Sequence, residues 1–174
     1  MKKLFLVAVA TVGFAVSGTA QEFKFGVKAG LNNTNFTGDA DTDAKTSFYF
    51  GGFADYAVSE KFHIQPEVLY SSEGASDDWG ISYLRIPIMA KYYVAESFSI
   101  LAGPSIAFKV ATEEDAVDEL TKSMDFGLGV GAAYDLENGL FFDARYNFGL
   151  QNISDVDGVD IKNSGFQVGL GYKF

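Results

Sequence analysis

The chain has no cysteine, one histidine, one tryptophan and three prolines, and its 13 basic residues face 23 acidic ones. Without cysteine there is no disulfide framework, no thiol nucleophile and no Cys-ligated metal. A lipid anchor on a cysteine after a cleavage site is excluded for the same reason. The acidic balance argues against nucleic acid as a partner, because phosphate binding rests on Lys and Arg. Beyond the N-terminal region, no stretch stays apolar for the roughly 20 residues that a helix needs to cross about 30 Å of hydrocarbon. If this chain enters a membrane, it does so as strands.

Met1-Lys2-Lys3 gives a positive start, Leu4 to Val16 is free of charge, and Ser17-Gly18-Thr19-Ala20 supplies small residues ahead of Gln21. That pattern reads as a cleavable secretory signal peptide over residues 1–20, its apolar run too short to span a bilayer as a helix. Residues 21–174 are then one domain. Loss of Lys2 and Lys3 leaves 11 basic against 23 acidic residues, a formal charge of −12.

In this domain an alternation of period two recurs eight times, and helical spacing is scarcely seen. The segments run from Phe23 to Asn32, Ser47 to Val58, Phe62 to Ser71, Tyr83 to Val94, Phe98 to Lys109, Asp125 to Leu136, Leu140 to Leu150 and Asn163 to Phe174. The connections alternate too. Ser59-Glu60-Lys61, Ala95-Glu96-Ser97 and Glu137-Asn138-Gly139 are short, whereas Asn33 to Thr46, Ser72 to Ser82, Val110 to Met124 and Gln151 to Lys162 are long. Short turns at one end, long loops at the other and an even strand number predict an all-β, eight-stranded antiparallel up-and-down transmembrane β-barrel, with periplasmic termini in an outer membrane.

Sorting each segment by parity separates two faces. One, exemplified by Phe25, Val27, Phe50, Val68, Ile88, Ile100, Leu128, Phe142 and Leu170, carries no charge. The other holds Lys24, Lys28, Asp55, Glu67, Arg85, Lys91, Lys109, Asp125, Asp135, Asp143, Arg145 and Lys173. Parity alone does not say which face points outward, since a soluble ligand-binding barrel alternates as well. Glycine decides: eleven lie on the charged face and only Gly52 on the apolar one. An eight-stranded barrel has an interior just wide enough for side chains to fill, so small residues belong inside and the bulky apolar face meets lipid. Phe23, Tyr56, Phe62, Tyr92, Phe98, Tyr134, Phe142, Tyr172 and Phe174 fall near the short-turn end, as an interfacial girdle would. Pro66, Pro87 and Pro104 lie inside strands, where each removes a ladder hydrogen bond, and local bulges are expected there.

The last segment ends Gln167-Val168-Gly169-Leu170-Gly171-Tyr172-Lys173-Phe174. Its Gln167, Gly169, Tyr172 and Phe174 resemble the C-terminal signal that barrel assembly machinery reads. Gly52-Phe53-Ala54-Asp55-Tyr56, Gln65-Pro66-Glu67-Val68-Leu69-Tyr70, Leu84-Arg85-Ile86-Pro87, Ala102-Gly103-Pro104 and Asp143-Ala144-Arg145-Tyr146 stand beside it in order. Together they resemble the PorT-like outer-membrane β-barrel domain family over the whole mature chain. That resemblance implies prolines at such places and, through PorT itself, an association with protein secretion across the envelope.

Charges held out of bulk water need partners, so the inward set predicts a salt-bridged polar plug centred on Glu67, Arg85, Lys91, Asp143 and Arg145. The alternative is a small-solute channel, although water-filled pores come with 16 or more strands. A membrane-embedded lipid enzyme is a third reading. His63 near Ser99 is its one candidate pair, and no third group orienting the base is visible. The long loops carry 14 acids, Glu73, Asp77 and Asp78 among them. Asp39, Asp41 and Asp43 open like a calcium loop, but Ala44 and Phe50 stand where glycine and glutamate are needed. No cofactor or metal is expected. The expected role is non-enzymatic: envelope integrity, adhesion or complex assembly, with lipid, lipopolysaccharide, the assembly machinery and an envelope protein as partners.

Overall fold

The computed structural model describes residues 23–38, 44–75, 79–112, 122–154, 158 and 160–174. The expected signal segment and most of the loop acids lie outside these residues, as does the side chain of Trp79. Among the described residues, eight strands close into one antiparallel barrel in sequence order: β1 (Phe23–Gly38), β2 (Lys45–Ala57), β3 (Phe62–Ala75), β4 (Trp79–Tyr93), β5 (Phe98–Thr112), β6 (Met124–Asp135), β7 (Leu140–Gly149) and β8 (Ile161–Lys173). Closure comes from β1 pairing with β8, from Gly26/Lys173 to Gly38/Ile161.

Side chains alternate across the wall as the pleat requires. Phe25, Val27, Phe50, Val68, Ile88, Ile100, Phe126, Phe142 and Leu170 are exposed on the outside. Tyr49, Phe53, Leu69, Met89, Leu101 and Phe141 are buried inside together with most of the charges. Near the short-turn end Phe23/Tyr56, Phe62/Tyr92, Phe98/Tyr134 and Tyr134/Phe142 are aromatic cross-strand partners, and Leu140 pairs with Tyr172.

Glycines and large side chains inside are complementary. A Cβ on Gly26 or Gly171 would run into Phe53 or Phe141, one on Gly131 into Arg145, and one on Gly169 into the Tyr49 hydroxyl and Asp143. Gly169→Val is therefore expected to cost the about 1–3 kcal/mol of an overpacked core, or more. Lipid-facing Gly52 has room for a Cβ, and Gly52→Ala is expected to stay within about 0.5 kcal/mol of the parent. Urea unfolding in detergent micelles, read by the gel mobility of folded and unfolded forms, compares the two. The opposite order would mean that the glycine face does not line the interior. Gly139 serves a turn instead. Its φ of 88° lets it close the β6–β7 connection, its N–H donating to the Leu136 carbonyl.

The bulges expected at the prolines do not form. Phe53/Glu67 and Tyr56/Ile64 flank Pro66 at one register, Pro66/Ile88 and Leu69/Arg85 flank Pro87, and Pro87/Ser105 and Ala90/Ala102 flank Pro104. Proline withholds a donor, but its fixed φ is compatible with an extended strand, so no extra residue has to be accommodated. The register shift that does occur lies elsewhere. Ser82 pairs with Ala111 and Tyr83 with Lys109, which leaves Val110 as an additional residue on β5.

At the long-loop end the wall is not uniform. The β1–β2 ladder continues to Thr34/Lys45 and the β3–β4 ladder to Ala75/Trp79, but the β2–β3 ladder stops at Tyr49/Ser71. Beyond that point, Asn32 Nδ2 and Ser47 Oγ both donate to the Ser72 carbonyl and bridge the gap.

Candidate functional site

The interior charges assemble in three layers. In the middle layer Arg145 donates to both oxygens of Glu67, at 2.9 and 2.6 Å, and its Nε lies 2.7 Å from Asp143. Lys28 donates to Asp143 and sits 3.8 Å from Glu67. Gln65 Nε2 donates to Glu67 at 2.7 Å, and the Tyr49 hydroxyl faces Asp143 at 3.4 Å. Two cations and two anions thus neutralise one another where water is excluded. Residue alternation explains why they meet: Glu67 on β3, Lys28 on β1 and the Asp143/Arg145 pair on β7 all point inward, and the glycines of β8 and β2 leave space between them.

Toward the long loops, Arg85 forms a second bidentate pair, with Glu73 at 2.8 and 2.6 Å, and reaches Asp125 at 3.2 Å and Ser105 at 3.2 Å. Ser71 and Asn163 also donate to Glu73, and Asn32 links Ser71 to Gln167. At the short-turn end, Lys91, Tyr93 and Lys173 converge on Asp135 at 2.7–2.8 Å, while Asp55 takes Lys173 at 3.2 Å and the Nδ1 of His63. Ser99 is engaged separately, its hydroxyl donating to the Ala133 carbonyl.

The five residues proposed as one centre are therefore distributed. Glu67, Asp143 and Arg145 come together, Arg85 belongs to the layer above them, and Lys91 to the layer below. Glu73, expected in a surface loop, is a buried partner of Arg85 on β3, which corrects that assignment. Its parity already marked it, since Glu67, Leu69, Ser71 and Glu73 are successive inward positions. Lys28 and the Asp55–Asp135–Lys173 set were legible as inward, but their partners depend on the register between strands. Of the C-terminal signal residues, Gln167 is buried and hydrogen-bonded to Asn32, Gly169 lies against Tyr49, and Tyr172 and Phe174 are exposed on the outer girdle in edge-to-face contact at 5.5 Å.

Apolar groups fill the space between layers. Phe53 and Phe141 meet edge to face at 5.3 Å, and Met89, Leu101 and Ala133 pack together. At the long-loop mouth Ile153, fully buried, rests on Ile81, Tyr83 and Ala107. It is held there by its N–H bond to the Ile161 carbonyl, while its own carbonyl accepts from Lys122 N. The Asn152 side chain accepts from the backbone of both Ser154 and Ile161. Within the Arg85 layer, a void lined by residues including Glu73, Arg85 and Asn163 measures about 10 Å³. At the other end the three short turns rim an open basin of about 1210 Å³.

A closed antiparallel barrel with an uncharged, bulky exterior, an aromatic girdle and an ion-paired interior defines an integral membrane protein of the outer-membrane barrel class. The sequence profile of one family, described as the outer membrane protein beta-barrel domain, matches residues 5–174. The chain belongs to that family, and its place is the outer membrane. Among solved structures it is similar to the attachment invasion locus protein Ail of Yersinia pestis, with a TM-score of 0.56 at 15% identity over 88% of this chain and 99% of that one. A second structure of Ail, in complex with the heparin analogue sucrose octasulfate, gives 0.52 at 16% identity over 88% and 99%. Neisserial surface protein A gives 0.56 at 12% identity over 90% and 100%. At such identities the likeness is one of fold. No curated protein matches the chain.

Proposed function

We propose that this protein is a non-conducting, non-enzymatic barrel that anchors and displays its long loops at the cell surface, with the short turns and both termini in the periplasm after removal of the signal peptide. The observation that carries this reading is the bore. Its charged side chains are paired to one another across the barrel, and the void beside Arg85 and Asn163 has room for about one water molecule. In this reading solutes have no path through the bore, and the surfaces left to act are the loops. Their acids favour a cationic partner, or a divalent ion shared with anionic lipopolysaccharide. The heparin analogue bound to Ail is anionic, as these loops are, and would be repelled here. Within the family we assign the chain to the PorT-like group, on the ordered segments around Asp55, Glu67, Arg85, Pro104 and Arg145. Its contact would then be an envelope protein.

Reconstituted in planar bilayers, the purified protein is expected to show no steady single-channel steps. Reproducible conductance would replace this reading with that of a small-solute channel. Crosslinking from the long loops in intact cells, with identification of the captured species, tests the display role directly. Capture of lipid alone would reduce the role to envelope integrity.

A further inference from the structure

The layer nearest the long loops leaves buried acceptors without donors, Asn163 Oδ1 and Asp125 Oδ1 among them. Glu73 is saturated: Ser71 Oγ and Arg85 Nε donate to one oxygen, and Arg85 and Asn163 Nδ2 to the other. Asn163 must turn its NH₂ toward Glu73 to do this, which commits its amide oxygen to accepting from something else. Among the described residues no protein donor reaches that oxygen, although Asn163 is only 4% exposed. A buried acceptor without a donor is costly, and Asn163 lines the void of about 10 Å³ together with Thr34, Asn147, Ser164, Glu73 and Arg85. That is the space of one water molecule and no more, and the lining offers the two to four polar partners such a molecule needs.

We propose that this void is a permanent site for a single water molecule, which donates to Asn163 Oδ1 and is sealed from the long-loop side by Ile153. A cation suits the position poorly. The Arg85 guanidinium lines the same space, and both Glu73 oxygens are already taken by donors. Water supplies the missing donor without adding charge. Ile153 packs on Tyr83, the inward neighbour of Arg85 on the long-loop side, and Asn152 ties its segment to Ile161, so exchange from that side is expected to require this segment to lift. The site does not depend on what the loops bind.

The test uses the full mature chain, isotope-labelled and refolded in micelles. Magnetisation transfer between water and the Asn163 side chain, at a pH where amide exchange is slow, is expected to report a long-lived contact. In Ile153→Ala the residence time should fall at least tenfold. Absence of any water contact at Asn163 in the parent protein would overturn the proposal by showing a dry void. A melting temperature that rises by several degrees when sodium chloride replaces choline chloride at equal ionic strength would overturn it in favour of a cation. An unchanged residence time in Ile153→Ala would remove the sealing role. Should that variant fail to fold, the parent measurement and the salt comparison decide the site by themselves.

Discussion

Arg145→Ala is expected to destabilise the barrel by about 3–5 kcal/mol, the cost of stranding a buried charge. Glu67 would lose both of its guanidinium bonds, and Lys28, 3.8 Å away and already engaged by Asp143, is not placed to replace them. Removing both partners differs from removing one, because no charge is then left unpaired. The double variant Glu67→Leu with Arg145→Met should cost clearly less than Arg145→Ala alone, since well-packed apolar replacements of a buried pair are often neutral or stabilising. Urea titration in lipid vesicles gives both values. A single-variant cost below about 1 kcal/mol would place Glu67 in a solvated environment and would withdraw the support for a sealed bore.

Ile88→Arg is expected to cost about 2–4 kcal/mol, the value for a cation on the lipid face near the bilayer midplane. Ile88 pairs with Pro66 in a row midway between Phe62/Tyr92 at one interface and Tyr70/Leu84 toward the other. The same residue at Ser97, in a short turn, should change stability by less than about 0.5 kcal/mol. A barrel bathed in water on this face would tolerate both substitutions equally, so equal values would remove the membrane assignment.

The eight strands, their inward and outward faces and the girdle were legible because lipid imposes a simple rule on every second residue. Where lipid ends, the rule fades. The apolar alternation that marks β1 from Phe23 to Asn32 gives way to Asn33-Thr34-Asn35, yet pairing with β8 holds the strand to Gly38. β3 likewise continues to Ala75 through polar and small residues, and β4 begins at Trp79, where Ile81 and Tyr83 are buried in the interior instead of facing lipid. Glu73 was misplaced for that reason, its strand appearing to stop at Ser71. The interior network was legible in composition and not in wiring. Inward parity singles out Arg85 and Lys91 as readily as Arg145, but which carboxylate each finds depends on inter-strand stagger, which no single strand encodes. The prolines show the converse: their effect on one hydrogen bond was foreseeable, whereas the preservation of register around them rests on neighbouring pairs.

Because the second and third strands part company above Tyr49 and Ser71, the two hairpins on that side are joined there, among the described residues, by side chains: Asn32 and Ser47 meet at the Ser72 carbonyl, Asn32 also donates to Ser71 Oγ, and Phe48 touches Tyr70. Each can then be lengthened, shortened or swapped for a foreign epitope without dragging its neighbour out of alignment. The wall on this flank behaves as a pair of separate mounting posts, and it is the natural place to graft new sequence onto the scaffold.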